Sequence, residues 1–545
     1  MLTANGGRDT ISPFFENKLL QMKKLTGILT VFVLMNSCGI IETNKKVPLF
    51  ETFETELAIS DVQGNRFSKF ISFSFSKDDR VFKVDGFYNG DDKWCVRFMP
   101  DETGVWNYSW NFEDKHGQGK FLCTERSNPK NNGHVKRDPV HQRYLIHDDG
   151  TPHYWYGGKW ISTPNYGPEA KGDEKNVAYL TDTEFLNYLD TVEQYRHNGL
   201  LLKHALFPLE NDQISWDLKW IQRGEWLVKQ MAERGIYCQI NFFDTWSRDR
   251  ETSLGTNTDG SKQVFNVWDS TDYMVKENYI RTLVARYSGF YNVYWELGNE
   301  MEHRPNNGAA FVKLSNEKYI PWIHKYDPYQ LPVCLSERIW KQTNVDIGLI
   351  HQTNDFPAVV TEGNRPVMIN ELVRGGINDV LWKDSVMCDP AERISYRRTF
   401  WRYFTFGGSG SSEATWLSIN KPLNQAALNV MGDQMRLRNF IEKLPVSINE
   451  MYTDTAFISK GPGSFRTRGK KGECYVTYFL VDPETSVSED TVKINAVAGQ
   501  YEYKWYDPKT GIFTSSEKTE IKASPHSILH PDFTEDIVLM ITRVK

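Results

Sequence analysis

The chain changes its apolar rhythm twice. From residue 47 to about 140, apolar and polar positions alternate in short runs. FSKFISFSFS (67–76) has the period of two that a strand with one buried face requires. VFKVDGFYNGDDKWCVRFMP and GVWNYSWNF continue it, with Asn-Gly and Asp-Asp turns between. Short strands with regular turn signals predict a β-sandwich over 46–140. SNPKNNGH (127–134) is a loop by composition.

Over 141–447 short apolar runs alternate with longer amphipathic stretches. YWYGGKW (154–160) is the first run. TDTEFLNYLDTVEQYRHNG predicts a helix opened by Thr or Asp and stopped at Gly199. GLLLKHALF reads as a strand, DLKWIQRGEWLVKQMAERG as a helix with a glycine stop, and IYCQINFFDTW as a strand. A helix over 272–290, the strand NVYWELGNE and the helix AAFVKLSNEKYIPWIHKYDP follow. LPVCLS, VDIGLIHQ and RPVMINE are further strands, and FWRYFTFGGSGSSEATW closes the series. Strands alternating with helices imply parallel βαβ units. About eight of them predict an α/β fold, a (β/α)8 TIM barrel. A doubly wound sheet fits less well, because no glycine-rich phosphate loop follows any strand. NVMGDQMRLRNFIEKLPV (429–446) predicts a helix linking the barrel to the last segment. From 448 to 545 the period of two returns, with the turn Asp-Pro-Lys-Thr-Gly, and predicts a second β-sandwich. The barrel is thus expected to lie between two β-domains.

The first 45 residues stand apart. MKKLTGILTVFVLMNSC (22–38) places two lysines before an apolar run too short for a stable membrane helix. The run ends at Cys38 and resembles a bacterial lipoprotein signal, in which that cysteine becomes the lipidated first residue. An ordinary secretory signal is the alternative, and either one exports the protein. The lipoprotein reading puts it on the outer membrane, facing the periplasm or the cell surface. Met22 is then the expected start, with 1–21 upstream of it.

Composition narrows the chemistry. The 17 Trp, 26 Tyr and 31 Phe suit either a large aromatic core or a surface that stacks on sugar rings. A net charge of −6 without a long basic run argues against a nucleic-acid partner. The seven cysteines show no CxxC pair and no metal-type spacing. Disulfides are allowed by an exported location but not demanded by spacing.

VYWELGNEMEH (293–303) carries an apolar strand straight into acid, with Glu296, Glu300 and Glu302 close together. Buried carboxylates need partners or a task. In a barrel the working groups sit where strands end at the C-terminal face. Two runs end there in Asn-Glu, at Asn299-Glu300 and Asn370-Glu371. The same dipeptide recurs at 316–317 and 449–450, so position rather than the pair selects Glu300 and Glu371. Two carboxylates, one protonated and one ionised, are what glycoside hydrolysis requires. Glu296, inside the strand, is expected to pair with a core arginine. Glu302 and His303 are expected in a loop, and their spacing fits no standard metal motif. His204 follows the second strand, Asp244 and Trp246 the third, His351 the sixth and Trp416 the eighth, so these are candidates for substrate contact. His351 is expected to hold or tune Glu371. His204 and His351 read equally well as hydrogen-bonded core histidines, and Trp246 as packing. Lys159 and Trp160 are read as surface residues.

WELGNE resembles the strand-four motif of clan A glycoside hydrolases, the retaining (β/α)8 group that includes cellulases, mannanases and galactosidases. The resemblance implies that Glu300 is the acid/base and that Asn299 binds the hydroxyl beside the anomeric carbon. RPVMINE is similar to the strand-seven run of that group, which implies Glu371 as nucleophile. It also implies Trp416 as the floor of the sugar site. The 71-residue gap between the glutamates is short for the group, so the fifth and sixth barrel helices are expected to be stunted. GFYNGDDKWCVRFMPDETGVWNY resembles a β-sandwich of unknown function found before bacterial glycosidase barrels. YWYGGKW, the linking helix and KWYDPKTG resemble apiosidase-like and cellulase-like barrels with a C-terminal sandwich. The expected activity is retaining cleavage of β-glycosidic bonds in a plant or algal polysaccharide or oligosaccharide, without metal or organic cofactor. The two sandwiches are expected to brace the barrel. A non-catalytic carbohydrate-binding lipoprotein on a degraded barrel and an inverting glycosidase remain alternatives. The two glycosidase mechanisms differ in carboxyl separation, about 5–5.5 Å for retention against about 6.5–9.5 Å for inversion.

Overall fold

The computed structural model describes residues 41–158, 161–162, 182–203, 214–244, 272–303, 306–336, 338–351, 363–370, 390–412, 425–483 and 485–544. Alternation in the first segment becomes a buried stripe. Strands Ile41–Pro48, Phe53–Ala58, Phe70–Lys77, Arg80–Tyr88, Lys93–Phe98, Gly104–Phe112 and Lys115–Thr124 (β1–β7) form one sheet in the order β1-β7-β6-β3-β4-β5-β2. Trp106, Tyr108, Trp110 and Phe112 of β6 point inward while the residues between them face solvent or lie half-buried. Here hydrogen bonding runs through a single curled sheet rather than two separate layers. Its edges close over one another through packing: Phe53 on β2 stacks on Phe121 of β7 at 4.3 Å.

A three-stranded sheet (Val135–Arg137, Leu145–His147, Pro152–His153) leads into the barrel. The eight barrel strands are Tyr156–Gly158 continued by Ile161–Ser162, then Gly199–Lys203, Tyr237–Asp244, Val293–Asn299, Val333–Leu335, Ile347–Ile350, Val367–Ile369 and Ser409–Ser412. Neighbours pair in parallel, and strand one closes the ring by pairing with both strand two and strand eight. The lower lumen is filled by Trp155, Tyr294, Cys334, Ile347, Leu349 and Met368, in one cluster with Val135 and Leu145 of the three-stranded sheet. Side chains thus plug the N-terminal end, and chemistry is left to the other end.

Helices Asp182–Gln194, Leu218–Glu233 and Tyr273–Tyr287 follow strands one to three. The side chains of Asp217 and Asp272 cap the second and third of these. After strand four the chain is helical over 309–326, with a π segment at Ser315–Tyr319. Between strands five and six, only the 3₁₀ turn Arg338–Gln342 stands among the described residues, in keeping with a stunted fifth helix.

Three local expectations are corrected. Gly199 does not stop the first helix, which ends at Gln194; it opens strand two, where a Cβ would lie 2.4 Å from the Trp155 ring. FWRYFTF belongs to the helix Pro390–Phe406, and strand eight is only Ser409–Ser412. The aromatic run takes helical form because Trp401 and Phe404 then reach Phe440 on the next helix. The expected linking helix is the barrel's own last helix, Gln425–Ile441, which packs on Pro390–Phe406.

The C-terminal domain has one large antiparallel sheet around Ser464–Lys470, Cys474–Leu480, Asp536–Arg543 and Gly499–Asp507, and a three-stranded sheet of Ile458–Lys460, Asp490–Ile494 and His526–His530. One face of the large sheet closes its own core, while Cys474, Val476, Tyr478, Tyr506 and Val538 join the barrel core. Cys95, Cys123, Cys238, Cys334 and Cys474 are buried free thiols, so the described cysteines form no disulfide. Among the described residues no helix is long and apolar enough to cross a membrane.

Candidate active site

Strand four is buried along its whole length, and its register is set on both sides. Glu296 points into the lumen and is fully buried. Its Oε2 accepts from Asn241 Nδ2 at 2.9 Å, and its Oε1 lies 3.5 Å from Asn370 Nδ2. Two amides, one from strand three and one from the residue after strand seven, are thus among its partners. Amides satisfy a buried carboxylate without a second buried charge. Glu296 therefore ties strand four to the segment that carries Asn370.

Gly298 must be glycine, since a Cβ would sit 2.6 Å from Met301 Cγ and 2.9 Å from Phe311 Cζ. The chain can then turn sharply at the strand end. Asn299 is buried and stands in register with Asp244, the last residue of strand three. Glu300 follows with φ +52°, a left-handed conformation that costs a non-glycine residue about 1–2 kcal/mol. Such a residue persists only where its surroundings hold it. Its N–H donates to Ser336 Oγ at 2.7 Å, and its carbonyl accepts from His303 N–H at 3.1 Å. Met301–His303 then forms a 3₁₀ turn.

The Glu300 carboxylate is reached from two sides. His351 Nδ1 lies 3.0 Å from Oε1, and His303 Nε2 lies 4.0 Å from Oε2. His351 is buried directly after strand six, whereas the His303 side chain is half exposed. The Glu300 side chain is 17 % exposed, so it is sheltered yet reachable. Neighbouring imidazoles of this kind can orient a carboxylate and exchange charge with it. The sequence reading placed His351 beside Glu371, which lies outside the described residues; among the described residues its Nδ1 meets Glu300.

The described residues thus bring together Asn299, Glu300 and His351 at the C-terminal ends of strands four and six, with Asp244 at the end of strand three. Glu371, His204, Trp246 and Trp416 lie outside the described residues, as do Lys159, Trp160 and Cys38. Glu302 and His303 lie in the 3₁₀ turn after the strand, with His303 Nε2 3.7 Å from Glu302 Oε1. Among the described residues no three His, Cys, Asp or Glu side chains converge as a metal site requires. Sequence reasoning passed over Ser336, Asn241 and the role of Asn370. The available signal was a polar residue at an inward or terminal position of an apolar strand, as in QINFF and LPVCLS.

The fold has counterparts among known proteins. Residues 199–364, which contain strands two to six, match the model of the cellulase family, glycosyl hydrolase family 5. Residues 46–113 match a domain of unknown function, DUF5060. A Bacteroides vulgatus ATCC 8482 structure, described as a proposed glycoside hydrolase, superposes with TM-score 0.68 at 17% identity. It covers 92% of this chain and 100% of its own. A glycoside hydrolase family 5 structure from the same organism gives TM-score 0.55 at 15% identity, covering 76% of this chain and 94% of its own. A third structure, a glycoside hydrolase, gives 0.54 at 15% identity over 76% of this chain and 98% of its own. No curated protein matches the chain.

Proposed function

We propose that this chain, a glycoside hydrolase by its barrel, cleaves β-glycosidic bonds of a plant or algal polysaccharide or its oligosaccharides with retention of configuration. The observation that carries the reading is Glu300: a sheltered carboxylate at the end of barrel strand four, held left-handed, with His351 Nδ1 3.0 Å away. A general acid has to be placed within hydrogen-bond reach of the leaving oxygen and kept there.

The chemistry runs in two displacements. The Glu371 carboxylate attacks the anomeric carbon while Glu300 gives its proton to the departing oxygen. A glycosyl ester on Glu371 results. Glu300, now ionised, takes a proton from water as that water attacks the same carbon, and Glu371 leaves as a free carboxylate. Asn299 is assigned to the sugar hydroxyl next to the reacting carbon. His204, Asp244, Trp246 and Trp416 are assigned to the pocket, and His351 to the acid/base. The N-terminal signal ending at Cys38 would place the enzyme on the outer membrane through a lipid anchor, and a C38S variant that still labels with an alkynyl fatty acid in cells would refute that part.

The test is a panel of algal and plant glycans, with products sized and the product anomer followed by NMR. A substrate turned over with net retention is expected, with Glu300→Gln and Glu371→Gln each lowering turnover by about 100–10,000-fold. First-formed product of inverted configuration would replace retention by a water-activating mechanism. Glycan binding without turnover by the parent protein would make the barrel a binding module.

A further inference from the structure

Strand five ends on a fully buried serine whose hydroxyl is engaged as both acceptor and donor. Ser336 N–H donates to Gly298 O at 3.3 Å. With Trp295 opposite Val333 and Glu296 opposite Cys334, a regular parallel ladder would continue through Ser336 N–H to Leu297 O and Asn299 N–H to the Ser336 carbonyl, so the bond to Gly298 already lies one residue further along strand four. Glu300 N–H donates to Ser336 Oγ at 2.7 Å, and the same Oγ–H donates back to Gly298 O at 3.1 Å. The ladder slips and ends here, and the Ser336 hydroxyl bridges the slip: it gives Glu300 N–H an acceptor as that residue leaves the strand at φ +52°.

From this bridge we infer that Ser336 is a positioning residue for the acid/base, holding Glu300 in the turned conformation that aims its carboxyl at the leaving oxygen. The inference rests on the reading of Glu300 as acid/base. Without the hydroxyl, Glu300 N–H must go unpaired or move to another acceptor. Such a move would release the turned conformation and swing the carboxyl away from His351. Either outcome damages proton delivery, while the nucleophile on strand seven is untouched. The loss should therefore follow the leaving group. A departing oxygen of low basicity needs little protonation, and an unactivated sugar oxygen needs full protonation.

The experiment uses the full chain and two β-glycosides of a sugar that the glycan panel identifies, one with a dinitrophenyl leaving group and one with a sugar leaving group. Ser336→Ala should lower kcat on the sugar leaving group by about 10–100-fold, the scale of a misplacement near 1 Å. On the dinitrophenyl glycoside the first step should fall much less, and KM should hold on both. The pH limb that reports the acid should shift. Ser336→Thr, which keeps the hydroxyl, should restore the sugar-leaving-group rate in part. If Ser336→Ala does not fold, Ser336→Cys keeps the volume with a weaker acceptor and carries the same comparison. Equal loss on both substrates, or none, would overturn the role of Ser336. Glu300→Ala is run alongside with and without azide. Leaving-group dependence and azide rescue there, with no such dependence in the Ser336 variants, would sink only this inference. Their absence in Glu300→Ala would sink the acid/base reading itself and this inference with it.

Discussion

The N-terminal β-domain is joined to the barrel by buried charge, whereas the C-terminal domain is joined mainly by rings. At the first seam Glu225, on the second barrel helix, accepts from Arg97 Nη2 of β5 at 2.9 Å and from Arg286 Nε of the third helix at 2.7 Å. Arg97 reaches onward to Glu54 at 2.6 Å and to the Arg286 carbonyl at 2.8 Å. Arg286 in turn donates to the Tyr88 carbonyl at 3.0 Å and to Asn89 Oδ1 at 2.6 Å. At the second seam Trp401 stacks on Tyr478 at 5.7 Å, and Phe440 meets Tyr506 at 4.9 Å and Phe513 at 5.6 Å. Beside these rings Arg397 pairs with Asp536 at 3.0 Å and with Glu535 at 2.7 Å. The charged seam allows essentially one geometry, because each nitrogen of both guanidinium groups meets an acceptor. The ring seam is held by area and tolerates small shifts.

That contrast can be broken at several points. The largest effect is expected from Glu225→Ala, which strands two buried guanidinium groups. Denaturant unfolding should show a loss of about 3–5 kcal/mol. Replacing Arg97, Glu225 and Arg286 together by Met, Leu and Met should recover most of it, since the arginines are then no longer left unpaired.

Acid should act on the same seam. Burial alone would push the Glu225 carboxyl up, but Arg286 and Arg97 outweigh it and hold it down at about 2. A carboxyl depressed in the folded state stabilises above its unfolded value, near 4.3, and that contribution fades as pH falls toward the folded one. Melting temperature should therefore drop between about pH 4.5 and 2, and the Met-Leu-Met variant should lose part of that dependence. A triple variant with an unchanged acid limb would remove the charged seam as its cause.

The ring seam should respond more gently. Phe513 is half-buried and meets Tyr506 at 4.7 Å as well as Phe440. Phe513→Ala should cost about 1–2 kcal/mol, with no change in the acid limb. The smallest effect is expected at the rim of the charged seam. Arg281 Nε pairs with Asp85 Oδ2 at 2.6 Å but is partly exposed, and its guanidinium also lies 4.1 Å from the centre of the Phe70 ring. Asp85→Asn should cost less than about 1 kcal/mol and shrink further in high salt. A loss at Asp85 as large as that at Glu225 would mean that burial is not what separates the two seams.

The seams also show where sequence reading stops. Arg97, Glu225 and Arg286 lie in three separate elements, and nothing in KWCVRF or RGEWLV marks them as partners. The active site divides in the same way. Glu300 and Asn299 were legible because an apolar strand ending in acid is rare and costly without a purpose. Glu371 was chosen on the same ground, and its placement lies outside the described residues. His351 was legible as a strand-end residue, but its contact with Glu300 was not. Ser336 was invisible, since a serine after an apolar run is among the commonest ways for a strand to end.

Local periodicity by itself determined the order of elements: alternating strands, then βα units, then strands again. Burying one face of each element leaves few other solutions. It also determined that Glu300 would stand at a strand end, because the apolar run before it can only be wall. What the tertiary structure alone decided is which groups share a space. The amides of Asn241 and Asn370 reach Glu296, His351 rests on Glu300, and a serine hydroxyl takes the Glu300 N–H. These meetings join residues 36 to 74 positions apart in the chain. They follow from barrel closure and register, which bring distant strand ends within hydrogen-bond reach and leave no trace in any short window of sequence.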